Sequence, residues 1–221
     1  MFFYRWLAKL ERKTSRFAIK NLMTYIIAGM AMVFVADLVL GLTLGRSLSA
    51  FFMFSVPHFR AGQFWRILTF VFLPPDSSLL FMVFALYFYY LIGTALEREW
   101  GSSWFNIYYI FGVIGTIIGG FITGYATNYY LNLSLFFAFA AMYPNFEVLL
   151  FFFIPIKIKW LALLDAALFL ISFLFGTWPD RAAIIASLVN FLIFFGPSFF
   201  RGIRDKYDDY KRRKKFRENF R

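Results

Sequence analysis

Residues 62–72 read Gly62-Gln63-Phe64-Trp65-Arg66-Ile67-Leu68-Thr69-Phe70-Val71-Phe72, and residues 93–101 read Gly93-Thr94-Ala95-Leu96-Glu97-Arg98-Glu99-Trp100-Gly101. Both set a few charged or amide side chains into otherwise apolar sequence. A Trp next to an Arg suits a membrane–water interface, because the indole prefers the headgroup zone and the guanidinium can snorkel toward water. Gly93, Glu97 and Gly101 are spaced four apart, so on a helix they share a face. Glycines on that face let a second helix come close, and a carboxylate at the same level needs backbone amides or a neighbour such as Arg98.

The rest of the chain says what these stretches are embedded in. Of its 221 residues 61% are hydrophobic, 24% aromatic and only 16% charged, against roughly 25% charged in a soluble domain. Several apolar runs approach the roughly 20 residues that cross a bilayer as a helix, and they do not alternate as barrel strands do. The expected fold class is therefore all-α, a polytopic membrane helical bundle. Six transmembrane helices are expected, over about 22–44, 79–96, 105–123, 131–142, 160–175 and 182–199, with Asp76 or Ser77 placed to cap the second. There is no cysteine, which removes disulfides, thiolate nucleophiles and cysteine-bound metals. No cofactor and no metal are expected.

The formal charge of +11 sits mainly at the two ends of the chain. Residues 1–20 form an expected amphipathic basic segment on the cytosolic surface, unlike a secretory signal peptide. Residues 21–200 form the membrane domain, and 201–221 a basic cytosolic tail. Lys157, Lys159 and the run Lys211-Arg212-Arg213-Lys214-Lys215 fall inside if the N-terminus is inside, and of the outer loops around 125–130 and 177–181 only the second holds a basic residue, Arg181. Both termini are thus expected in the cytosol. Arg46, Arg60 and Arg66 in the long first loop depart from that pattern. Basic residues beside membrane spans point to the lipid bilayer and its anionic headgroups as partners, and not to nucleic acid.

The Trp65-Arg66 segment and the Gly93–Glu97–Gly101 segment, in that order around an apolar helix, resemble the rhomboid and derlin superfamily of intramembrane proteins. The resemblance runs over about residues 20–200, and includes an inner loop with Pro144 and Pro155 at its ends. It implies a compact bundle around a short fourth helix, with the first loop half-buried in the outer leaflet. Gln63, Trp65, Arg66, Gly93, Glu97 and Gly101 would be structural motif residues, while Gly115–Gly119 and Gly120–Gly124 are small-xxx-small pairs suited to helix packing.

The resemblance also implies a place for chemistry. Ser134 stands where the family's nucleophile lies, but Asn132 and Leu135 replace the flanking glycines. A serine needs a base to take its proton, and Ile184 stands where the family's histidine lies. Phe81 and Ala85 replace the polar pair of the oxyanion side. His58, the one histidine in the chain, lies in the first loop, where a His58–Ser134 dyad is a weaker alternative to an anchoring role.

The expectation is a rhomboid-like pseudoprotease, derlin-like, in a prokaryotic plasma membrane. It would bind transmembrane segments of client proteins in quality control, trafficking or assembly. A divergent serine protease using Ser134 is the alternative. A small-solute transporter built on intramembrane polar residues is the third reading. Asp37, Asp165 and Asn190 sit where polar groups are costly. Asp165 and Asn190 could hydrogen-bond if spans five and six are antiparallel, and Asp37 could meet water or Arg66.

Overall fold

The computed structural model describes residues 15–75, 78–150 and 154–194, apart from the side chains of Ser15, Leu150 and Ile154. The expected surface helix over 1–20 lies mostly outside these residues. So do Asp76, Ser77, the 201–221 tail and the end of the sixth expected span. The chain is mostly helical, with four helices long and apolar enough to cross a membrane. These are α1 (Leu22–Leu44), α5 (Leu79–Trp100), α6 (Ser102–Thr123) and α8 (Ile158–Phe175). A shorter apolar helix, α7 (Tyr129–Met142), lies between α6 and α8, and a last helix, α9, covers 178–194. The first loop holds α2 (Ser49–Phe52), α3 (Val56–Arg60) and α4 (Arg66–Thr69), then a 3-10 turn over Phe70–Phe72.

Helix ends follow from local chemistry. α5 and α6 are separated by Gly101 alone, whose φ of 81° and ψ of 155° lie in a region that only glycine enters freely. Gly101 is thus a hinge residue. It was expected to admit a neighbouring helix, but a Cβ built there meets nothing within 4 Å. Gly101→Ala is expected to cost about 1–3 kcal/mol through backbone strain, read as earlier thermal unfolding in detergent. Gly124 closes α6 with φ 98° and returns its N–H to Gly120 O, and Pro144 follows the end of α7.

The core gathers on α7. Its buried residues include Leu131, Asn132, Ser134, Leu135, Phe136, Ala138, Phe139 and Ala140, which run round the whole helix instead of along one stripe. It packs against α5, α6 and α8. α1 and α5 make the most extensive helix–helix contact among the described elements. By contrast, only Ile158 and Phe169 of α8 are buried.

Two short antiparallel pairs interrupt the helical pattern. β1 (Phe54–Ser55) pairs with β2 (Tyr125–Ala126) in the register Phe54↔Ala126, tying the first loop to the turn after α6. β3 (Glu147–Leu150) pairs with β4 (Ile154–Lys157) between α7 and α8, with Lys157 4.0 Å from Glu147.

Candidate functional site

Ser134 is buried inside α7 at 1% exposure. Its hydroxyl donates to Leu131 O at 2.8 Å, one turn back, and its own carbonyl accepts from the Tyr108 hydroxyl of α6 at 3.0 Å. The polar group that reaches Ser134 Oγ from α9 is the Asn190 amide, donating at 3.4 Å. The expected Asp165–Asn190 bond is replaced by this contact. Asp165 is half-buried on α8 and takes no hydrogen bond among the described residues. Ile184 is buried at 1%, on the same helix and nearly two turns before Asn190. An amide donor cannot take a proton from a hydroxyl, so among the described residues Ser134 has no base as a hydrogen-bond partner.

The other positions are scattered. Phe81 is 48% exposed, and the buried face of α5 is formed by Met82, Ile92, Gly93 and Leu96. Ala85 is only partly buried. The polar residue that α5 turns inward is Tyr89, which the side chain of Asn132 approaches, with Tyr109 of α6 nearby. Tyr109 OH, Asn132 Oδ1 and Asn190 Oδ1 are buried without a hydrogen-bond partner among the described residues. This cluster of Tyr89, Tyr109 and Asn132 was not anticipated. A tyrosine in an apolar run reads as packing, and only the helix rotation turns three polar tips together. His58 is not brought to Ser134, because its Nδ1 lies 3.2 Å from Ser55 Oγ within its own loop.

The motif residues form a second, structural set. Arg66 was expected to snorkel, but it is buried at 3% exposure. Its Nε donates to Gln63 Oε1 at 2.7 Å, and Nη1 donates to Ala50 O at 2.7 Å and Met53 O at 2.8 Å. Burial lowers its pKa from the ordinary value by desolvation, yet a guanidinium stays protonated at neutral pH. Trp65 beside it is 52% exposed, as an interfacial anchor should be. Asn128, at the start of α7, donates to Val71 O at 2.9 Å and Leu73 O at 2.8 Å. The first loop is therefore tied together internally by one guanidinium and joined to the rest of the chain by the Asn128 amide and the β1–β2 pair.

Glu97 is held by amides and hydroxyls, as its position required. Oε1 accepts from Asn21 N at 2.7 Å, just before α1, and from Ser102 Oγ at 2.6 Å, at the start of α6. Asp37 does not meet Arg66. Its carboxylate accepts from the backbone N–H groups of Leu48 and Ser49 and from the hydroxyls of Ser47 and Ser49, so it caps α2 across the turn that ends α1. Gly93 sits against Met23, Gly112 against Leu131 and Asn190, and Gly120 against Ala126 and Phe54. Gly115, expected in a packing pair, faces open space, and Gly119 only reaches Ala186 Cβ at 4.0 Å.

Among the described residues no group of His, Asp and Glu could hold a metal ion. No protein-family model matches this chain, and no curated protein is significantly similar to it.

Proposed function

We propose that this chain is a rhomboid-like pseudoprotease of a prokaryotic plasma membrane, with six spans and both termini in the cytosol, that binds transmembrane segments of client proteins without cleaving them. The observation that carries the reading is the setting of Ser134. Its hydroxyl is buried, committed to Leu131 O, and faced by the Asn190 amide instead of a base. Nucleophilic attack by serine needs a proton acceptor within hydrogen-bond reach, and none of the described hydrogen-bond partners of Ser134 supplies one. The exposed side of α8 offers a surface for another helix. Leu163, Leu164, Leu170 and Ile171 are each more than half exposed, and Ile158 and Phe169 are the residues of α8 that are buried. In lipid, helices associate through packing and not through hydrophobic burial, so a loosely held helix can exchange lipid for a client.

The test has two arms. Native protein and Ser134→Ala, in the same membranes with a generic rhomboid substrate, are both expected to leave it intact. Ser134→Ala is expected to change stability by about 1 kcal/mol or less, as other intramembrane hydrogen bonds do. A photo-crosslinker at Leu164 is expected to capture membrane proteins, and one at the buried Phe139 is not. Cleavage that Ser134→Ala abolishes would overturn the pseudoprotease reading. Equal capture from both positions, or from neither, would overturn client binding.

A further inference from the structure

α7, α8 and α9 do not close on one another. Between them lies a groove of about 650 Å³, lined on α7 by Phe137, Ala140 and Ala141, on α8 by residues including Ala162 and Ala166, and on α9 by residues including Ile184. The space comes from the sequence. Ala140 and Ala141 on α7, and Ala162 and Ala166 one turn apart on α8, leave room where larger side chains would interlock. The Phe137 and Phe169 rings, 5.4 Å apart and edge to face, keep the two helices apart at that level.

Lys159, at the start of α8, is the one charged residue among the described residues that line the groove. Among the described residues it has no carboxylate partner, whereas Lys157 lies 4.0 Å from Glu147. The Lys159 Nζ lies 5.7 Å from the exposed Trp160 ring, at the end of the groove where a headgroup would lie. An apolar slot ending at an unpaired cation complements an amphiphile with an anionic head.

Volume and charge together point to what lies in it. At about 650 Å³ the groove falls within the about 300–1,000 Å³ range of sites for small ligands, and the Lys159 ammonium stands at one end of it. We propose that it binds an anionic glycerophospholipid, with an acyl chain between α7, α8 and α9 and the phosphate at Lys159. The groove shares Leu163 and Leu170 with the face of α8 proposed for clients, so lipid retention is read on the purified chain with no client present.

The full chain, purified in detergent and mixed with equal amounts of phosphatidylglycerol and phosphatidylcholine bearing the same acyl chains, would be examined by native mass spectrometry for retained lipid. Native protein is expected to retain phosphatidylglycerol in excess. Lys159→Gln is expected to lower that excess about fivefold, the factor corresponding to about 1 kcal/mol per basic residue at a membrane surface. Lys157→Gln is expected to leave it unchanged, and Ala162→Leu with Ala166→Leu to reduce retention of both lipids. Equal retention of the two lipids by native protein would overturn the proposal. So would a loss in Lys157→Gln as large as in Lys159→Gln, which would show diffuse surface charge at work. Undiminished retention by the filled groove would do the same.

Discussion

Arg66→Met is expected to lower the unfolding free energy by about 3–5 kcal/mol, read by titrating the micellar protein with a denaturing detergent while following tryptophan fluorescence. Methionine matches much of the volume, so the loss is chiefly polar. The guanidinium supplies three hydrogen bonds, to Gln63 Oε1, Ala50 O and Met53 O. Removing it leaves acceptors in a buried site, each costing about 1–3 kcal/mol when unsatisfied. Gln63 can turn toward water, but the two carbonyls are fixed by the loop backbone. The loop would not detach altogether, because Asn128 still holds Val71 O and Leu73 O, so the variant should fold with a loosened first loop. Arg66→Lys should recover only part of the loss, since an ammonium lacks the planar fork that serves acceptors on two sides. Trp65→Met, at an exposed neighbour, should stay within about 1 kcal/mol. An Arg66→Met variant as stable as Trp65→Met would mean that the guanidinium bonds contribute nothing net and the loop is held by Asn128 and the β1–β2 pair.

What could be read in advance, and what could not, divides along one physical line. Apolar run length located the four helices long and apolar enough to cross a membrane and the shorter α7. The structure extends the expected second span to Trp100 and begins the third at Ser102, because Gly101 separates them by a single residue. Helix rotation was not legible. α7 shows no hydrophobic stripe because it is packed on all sides, and a lipid-facing side of a membrane helix is as apolar as its packed side, so Gly112, Gly115 and Gly120 look alike in sequence. Only Gly112 and Gly120 are pressed against neighbours. The same blindness hid the Asn190–Ser134 contact, which joins residues 56 apart, and drew attention to Ile184 instead. Asp37 was expected to meet water or Arg66, whereas its carboxylate accepts from Ser47, Leu48 and Ser49. Its cap on Ser49 lies only 12 residues away, and the run Ser47-Leu48-Ser49 after the helix was the available signal. The two-residue strands β1 and β2 are too short to carry any period. The side Arg66 faces depends on carbonyls of Ala50 and Met53, which no local pattern announces.

Gly93→Val should be the most damaging change within the spans, at about 2–4 kcal/mol, with Gly93→Ala at about 1–3 kcal/mol in the range of overpacked cores. A Cβ at Gly93 would lie 2.5 Å from Met23 Cβ and nearer still to Met23 Cγ. Met23 is 1% exposed, and its Cβ is fixed to the backbone, so no rotamer relieves the clash. α1 and α5 must part. Glu97 lies one turn beyond Gly93, and its bond to Asn21 N at 2.7 Å crosses the same interface two residues before Met23. Separation at Gly93 should stretch that bond, so the two sites are coupled. In a double-mutant cycle Glu97→Gln should cost less in the Gly93→Ala background than in native protein, with an interaction energy of about 0.5 kcal/mol or more. Gly115→Ala supplies the contrast: its Cβ meets open space, and alanine is favoured over glycine inside a helix by about 1 kcal/mol, so that variant should be neutral or more stable. Equal losses at Gly93 and Gly115 would mean that backbone propensity, and not the closeness of α1 to α5, governs the glycines of this bundle.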